Sequence, residues 1–492
     1  MENSSQQEQN IANSSSNPEI LIVGAGVFSL CFAYNVTNNP QALDGVDPKP
    51  LQNWQIYEAS REFGGLAMSM KDENGFTWDI GGHVTFDAFG KYYQMLDTLG
   101  MEFNHISRNS KVWCHSQMID YPIQMHIWQM KDEDRDNCLQ GLIQSVDKYP
   151  NKPENYEEWC RKYFGDGIYD IFFEPYNEKI WGVKLNEMNV TWTGARFPTI
   201  DVEEIKQSIH DKTVKQWGHN AQFRYPKFGG NGSQWNRVAE LLPQDKLNLG
   251  FQLIKIDPKS KIAHFSNGET RKYDKIISSM PLTHLIDLID IEDPLLKSID
   301  KTDFIYSTAY IIGFGISGPK PDATKDLSWA YFPDKDIPFY RVTWLSNYSE
   351  DLVPDSSQHW SLLLEVNVKS LDEKLRQSSI ENNEEVQNAC LEALYKLNII
   401  PDPTQTPDIK IISRYTKRVE YSYPVPFVKR DSLLEKILPH LEKEYGIYSR
   451  GRFGDWKYEI SNQDQIFVQT VELAKKIVQN LSQQQNSPAF QE

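Results

Sequence analysis

The sequence predicts an α/β protein: a Rossmann-like dinucleotide-binding domain, discontinuous along the chain, with a mostly helical insert domain and an antiparallel β-sheet domain. Three observations predict it. The apolar run Ile20-Leu-Ile-Val23 is followed at once by the turn Gly24-Ala-Gly-Val-Phe-Ser29 and a helix candidate. From about 130 to 215 the apolar spacing turns helical, as in Gly167-Ile-Tyr-Asp-Ile-Phe-Phe173. Strand-like runs then occupy 307–316, 339–345 and 359–367.

Residues 1–18 are rich in Ser, Gln and Asn and are expected as a disordered tail, as are 483–492. Residues 19–115 form the first part of the nucleotide domain. There Gly24 and Gly26 permit a tight turn and close approach of a pyrophosphate to the helix N-terminus, and the small Ser29 stands where a third glycine is usual. Trp54-Gln-Ile-Tyr-Glu58 reads as a second strand whose terminal acid, Glu58, suits ribose hydroxyls, with 36–53 as a surface insertion before it. The doublet Gly64-Gly65 follows, and it resembles the second fingerprint of FAD enzymes of the glutathione-reductase class. The domain is therefore expected to be an FAD-binding one. Residues 116–222 are the mainly helical insert. Residues 223–290 return to the FAD domain, with short strands at Phe251–Ile256, Ala263–Phe265 and Lys275–Ser278 and turns at Pro258 and Asn267-Gly268. Residues 291–440 supply the sheet domain. Residues 441–482 complete the FAD domain with a closing helix that places Phe467, Val471, Ala474, Val478 and Leu481 on one face.

The chain has 492 residues, 39% of them hydrophobic, enough for two or three domains with a sizeable core. Its formal charge is −17 and no lysine/arginine block interrupts it, which argues against a nucleic-acid partner. Any anionic ligand must then be met by a few placed arginines. No apolar run is long enough to cross a bilayer, and the N-terminus lacks a signal-peptide core, so no membrane partner is expected. Five scattered cysteines without a C-x-x-C pair suit reduced thiols in the cytoplasm and give no metal-site signal.

Several motifs recur in a fixed order. Gly64-Gly-Leu-Ala67 leads to Gly75-Phe-Thr-Trp-Asp-Ile-Gly-Gly-His-Val84. Then come Tyr121-Pro-Ile-Gln124, Pro175-Tyr-Asn-Glu-Lys-Ile-Trp181 and Phe223-Arg-Tyr-Pro-Lys-Phe-Gly-Gly-Asn-Gly232. Tyr331-Phe-Pro, Pro338-Phe-Tyr-Arg341 and Ser346-Asn-Tyr348 follow, and the last is Ser449-Arg-Gly-Arg-Phe-Gly-Asp-Trp-Lys-Tyr-Glu-Ile-Ser-Asn-Gln-Asp464. Between residues 19 and 480 the chain thus resembles the UDP-galactopyranose mutases of the eukaryotic type. The resemblance implies interconversion of UDP-galactopyranose and UDP-galactofuranose by FAD, active when reduced, with NAD(P)H as a transient reductant. In that family flavin N5, nucleophilic only when reduced, attacks the anomeric carbon and expels UDP, which returns after the sugar has reclosed through a different hydroxyl.

The resemblance also implies roles. Arg196 and Arg341 match the arginines that hold the diphosphate, a task for forked donors that stay charged. Tyr121, Gln124, Phe172, Asn177, Trp181 and Asn220 fall at the nucleotide end. Tyr331, Tyr348, Tyr423 and Tyr458 would reach the pyrophosphate with their hydroxyls, and Asn462 would sit near the sugar. Core packing is the alternative for Phe172 and Trp181, which lie on an apolar helical pattern. Leu66 belongs with the glycine doublet in the FAD set. Gly82 and His83 match positions at the flavin's reactive edge, where His83 would tune N5, and Arg108 matches a flavin-contacting arginine. Arg452, Asn462, Gln463 and Asp464 precede the last helix, whose positive N-terminal end suits an anionic reduced flavin. Asp464 as a simple helix cap is the alternative.

Two departures from the family stand out. Asp87-Ala-Phe89 occupies the place of a common Ser-His-Tyr, and Gln465 that of a histidine. Three other functions share much of this pattern: an amine-oxidase-like flavin oxidoreductase, a mutase for another UDP-hexose, and a non-catalytic sensor or scaffold. Homo-oligomerisation is left open.

Overall fold

The computed structural model describes residues 19–194, 201–214, 221–381 and 383–485. The expected tail 1–18 lies outside them. Residues 483–485 of the other tail continue the last helix, Gln463–Gln485, and the remainder lies outside the described residues.

A five-stranded parallel sheet carries the nucleotide domain, in the order Ile447–Ser449, Lys275–Ser278, Ile20–Val23, Trp54–Glu58, Leu247–Leu249. Ile20–Val23 is buried along its whole length, as a continuous apolar run in a parallel sheet must be. The helix Val27–Thr37 has no polar face: every residue from Phe28 to Val36 is buried. It shares one core with Phe467, Val471 and Ala474 of the last helix, against which Val478 and Leu481 also pack. The segment between this helix and the second strand is anchored. Leu43 and Leu51 are fully buried, and Lys475 of the last helix donates to Asp44 at 2.7 Å.

A seven-stranded sheet runs Lys410–Pro424, Tyr306–Ser317, His359–Asn367, Arg341–Thr343, Trp329–Tyr331, Ser110–Cys114, Gln117–Asp120. All of its pairs are antiparallel except Trp329–Tyr331 with Ser110–Cys114. Gly313 and Gly315 mark where aromatic rings lie flat on this sheet. A Cβ on Gly313 would stand 2.6 Å from the Trp78 ring, and one on Gly315 2.7 Å from Phe76. That contact locks Thr77–Asp79 of the nucleotide domain onto the sheet.

The helical part comprises Asp132–Lys148, Tyr156–Ile168, Glu174–Trp181 and Val202–Asp211 around one aromatic-rich core. Asn155 caps the second helix by accepting from Glu158 N–H at 3.0 Å. The π-helical turn Tyr169–Phe173 joins it to Glu174–Trp181, which ends at Gly182 in the left-handed region. Phe172, Asn177 and Trp181 ride on this joined segment. Among the described residues, no helix is long and apolar enough to cross a membrane.

Candidate active site

The first cradle lies at the C-terminal end of Ile20–Val23. Gly24 sits at φ +93, and a Cβ there would stand 2.5 Å from Ser279 Oγ. Gly64, at φ +100, is bridged to Gly26, and Gly65 lies so close that its Cβ would meet Gly26 Cα at 3.2 Å. Two backbones therefore cross here, with Gly24, Gly64 and Gly65 all at positive φ and open space beside Gly26, while the Gly24 and Gly64 amides are bonded to Tyr57 O and Ala25 O within the fold. Ser29 is buried and bonds Ser279 Oγ at 3.1 Å, so the hydroxyl in the third-glycine position has a partner within the fold. Glu58 accepts from Ala25 N–H at 2.7 Å and from Ser60 N–H at 2.8 Å, standing at the strand end beside the glycine turn. Leu66 packs on the cores of two neighbouring units.

A second cluster is built by strand register. Tyr331, Arg341 and Glu365 are cross-strand neighbours on three adjacent strands, so their side chains share one face. Arg341 Nε donates to Glu365 Oε1 at 2.8 Å and Nη2 donates to the same oxygen. Tyr340 donates to Oε2 at 2.8 Å, and Gly82 N–H donates to Oε1 at 3.0 Å. Burial alone would push the Glu365 carboxyl up. Arg341, the Gly82 amide and the Tyr340 hydroxyl outweigh it and hold the group below its ordinary value, ionised.

His83 lies beside this cluster. Burial, reinforced by the positive charges of Arg452 and Arg341, lowers its imidazole to about 3 against the pull of Glu365. The ring is neutral, and among the described residues its Nδ1 is buried without a hydrogen-bond partner. Burial raises Tyr423 to about 12, with Glu365 adding and Arg341 opposing, so its hydroxyl remains a donor. Burial likewise raises Tyr348 and Tyr176, and both feel Arg341 and Glu365. Arg341 thus has Tyr331 as its strand partner and Tyr340 on the same carboxylate, and its charge is felt at Tyr423, Tyr348 and Tyr176.

Aromatic rings extend the cluster toward the helical part. Tyr331 lies 5.2 Å from both Tyr121 and Tyr176, and Tyr176 stacks on Phe172 at 5.0 Å. Tyr458 stands edge-on to Trp181 at 4.9 Å and to Tyr423 at 5.3 Å. Asn177 ties Trp181 down, accepting from its indole N–H at 3.2 Å while donating to Phe173 O at 2.7 Å. Gln124 is buried. The Arg108 guanidinium lies over Tyr121 at 4.4 Å and Trp329 at 4.9 Å and donates to Ser110. Its stem therefore places it among the aromatic residues. Tyr348 donates to Ser328 O at 3.3 Å.

The closing segment joins the two clusters. Arg452 lies over the Tyr423 ring at 5.6 Å. Asn462 immediately precedes the last helix, its amide bonded to Gln465 at 3.2 Å. The Gln463 side chain is used within the protein: its oxygen takes Trp235 at 2.8 Å and Tyr92 at 3.2 Å, and its amide donates to Asn231. Asp464 accepts from Ala88 N–H at 3.0 Å, which fastens the loop after His83 to the helix, while its Oδ1 is buried without a partner among the described residues. In that loop Asp87 accepts from Tyr93 N–H at 2.8 Å at the start of the helix Tyr92–Asp97. Arg196 and Asn220 lie outside the described residues.

Glu365, Tyr176, Trp192 and Trp329 were not singled out by the sequence. Two had a visible signal: Tyr176 stands inside the motif Pro175–Trp181, and Glu365 is the sole charged residue in the strand run Trp360–Asn367. Trp192, 5.8 Å from Tyr458, carries no motif of its own.

Comparison with known proteins places these clusters in context. The model of the flavin-containing amine oxidoreductases matches residues 52–408. A crystal structure of reduced UDP-galactopyranose mutase is 36% identical, with a TM-score of 0.83 and 94% of each chain covered. A putative protoporphyrinogen oxidase from Exiguobacterium shares the fold at 15% identity and TM-score 0.70, over 95% of this chain and 100% of that one. Putrescine oxidase bound to putrescine does so at 13% identity and TM-score 0.60, over 94% and 99%.

Proposed function

The chain belongs to the UDP-galactopyranose mutase family of the flavin-containing amine oxidoreductases, and from that premise we propose that it interconverts UDP-galactopyranose and UDP-galactofuranose. It is a flavoenzyme whose cofactor is FAD. The residues present fit that group: the open space beside Gly26 would admit a diphosphate, Glu58 at the end of its strand would meet the ribose, and His83 offers a buried nitrogen without a partner among the described residues. When bound and reduced, FAD supplies a nucleophilic N5 for the anomeric carbon, with UDP as the leaving group.

The single observation that carries the reading is the set of tyrosines gathered on Arg341. In a chain of charge −17 a diphosphate needs a local cation, and Arg341, anchored through Nε and Nη2 on Glu365, lies beside the tyrosines. Tyr423, kept protonated, donates to the oxygens on which negative charge grows as the C–O bond breaks. Trp181 and Phe172 wall the uracil end and exclude water, and Tyr458 stands edge-on to Trp181 with its hydroxyl assigned to the diphosphate. Asn177, by fixing Trp181, keeps that wall in place. His83 stays neutral at working pH, so it orients by hydrogen bonding and does not compete with Arg341 for charge. Arg196 is assigned by motif to the second diphosphate contact and Asn220 to the nucleotide end. The domain limits at 115, 222, 290, 440 and 482, NAD(P)H as the transient reductant and a cytoplasmic location belong to the same reading.

The reaction is tested by incubating dithionite-reduced holoenzyme with UDP-galactofuranose and separating UDP-sugars by chromatography. UDP-galactopyranose is the expected product. Peroxide release from amines, with no sugar isomer formed, would instead favour an oxidase.

A further inference from the structure

We infer that Glu365 is a positioning residue that fixes the Arg341 fork and the Gly82 backbone relative to one another, a role that rests on the mutase reading. Both groups bind one oxygen: Gly82 N–H at 3.0 Å and Arg341 Nε at 2.8 Å reach Glu365 Oε1. The other oxygen takes Tyr340 at 2.8 Å, so both lobes of the carboxylate are engaged. Glu365 is 2% exposed and stays ionised, and its strand is paired on both sides. Gly82 is as tightly confined: a Cβ there would meet Thr343 Oγ1 at 2.8 Å and Arg341 Nη2 at 3.7 Å. The loop that carries His83 and the arginine that meets the diphosphate are thus joined through one buried atom. A shift of either would be transmitted to the other through bonds under 3.1 Å.

Such a carboxylate acts on the reaction and opposes simple anion binding. Its negative charge competes with UDP for Arg341, while its geometry aims the fork. Removing it should therefore lower kcat without weakening UDP binding, the signature of an interaction that matters in the transition state alone. Misplacement by about 1 Å costs on the order of 100-fold in rate.

The test uses FAD-loaded, reduced enzyme with Glu365→Ala and Glu365→Gln. For E365A the expected loss in kcat is about 100-fold, and for E365Q, which keeps an acceptor oxygen, about 10-fold. The UDP Kd of both, measured by calorimetry, should stay within about threefold of wild type or tighten. Should E365A fail to fold, E365Q decides alone. A UDP Kd that weakens in step with kcat, together with lost flavin content, would reduce Glu365 to a fold-stabilising ion pair and overturn the role. Unchanged kcat in both variants would overturn it as well. A wild-type enzyme that forms no sugar isomer would sink the mutase reading, and this role with it.

Discussion

Gly82 and Arg341 share one acceptor: the amide of the first and the guanidinium of the second both bond to Glu365 Oε1, at 3.0 and 2.8 Å. The strand register sets this up, because Arg341 and Glu365 are direct cross-strand partners. A cation so held is oriented before substrate arrives. Arg341→Ala should cost about 2–5 kcal/mol in UDP affinity, the scale for breaking a desolvated charge pair. Arg341→Lys restores the charge without the fork, so its titration with UDP should recover affinity only in part while kcat/KM stays depressed.

Gly65→Ala tests the cofactor cradle. The new Cβ would stand 3.2 Å from Gly26 Cα at a residue with φ +56, so both backbones must give way where the pyrophosphate belongs. The purified variant should carry far less FAD, read as the ratio of flavin to protein absorbance. Full flavin loading would show that this crossing does not form the phosphate site.

His83 gives a pH prediction with a definite sign. Its folded value, about 3, lies below the ordinary 6.5, because burial and then Arg452 disfavour the charged ring. Between these values the unfolded chain binds the extra proton, so stability falls as pH drops from about 6.5 to 3 and is unaffected by this group above 6.5. His83→Gln should flatten that part of the acid-unfolding curve. Imidazole resonances of His83 should not shift between pH 5 and 8.

Arg430 is fully buried and bonds Glu459 twice, at 2.9 and 2.6 Å, and Asp431 at 2.8 Å. Glu459 adjoins Tyr458, and Asp431 accepts from Thr191, next to Trp192, so one guanidinium braces two walls of the aromatic chamber. Arg430→Met removes the buried partner shared by Glu459 and Asp431 and should destabilise the protein by about 3–5 kcal/mol, read from urea midpoints. Adding Glu459→Gln should return part of that loss.

Local signals made the nucleotide domain legible. Lys275–Ser278 is a strand over the expected residues, and the turn at Asn267-Gly268 falls where Gly268 adopts φ +85. The first strand of that group begins at Leu253 and not at Phe251, whose ring is taken by packing on Tyr57 at 5.6 Å. The tyrosines and Arg341 were visible as motif residues, yet what they touch was not. Glu365 acquires its meaning from pairing with a strand 24 residues away, which no window of sequence displays. The parallel pairing of Ser110–Cys114 with Trp329–Tyr331 is equally non-local, and it makes a mainly antiparallel sheet a mixed one. Gln463 shows the converse: its position in the closing motif is plain, but its side chain serves Trp235, Tyr92 and Asn231.

The most direct test of flavin catalysis without net redox change is a stoichiometric one. Holoenzyme reduced by a single equivalent of dithionite under anaerobic conditions is given excess UDP-galactofuranose, and UDP-galactopyranose is counted per flavin while the visible spectrum is followed. Many product molecules per reduced flavin, with no reoxidation and no turnover after air is admitted, is the predicted result. One product per reducing equivalent, or equal turnover by the oxidised enzyme, would contradict it.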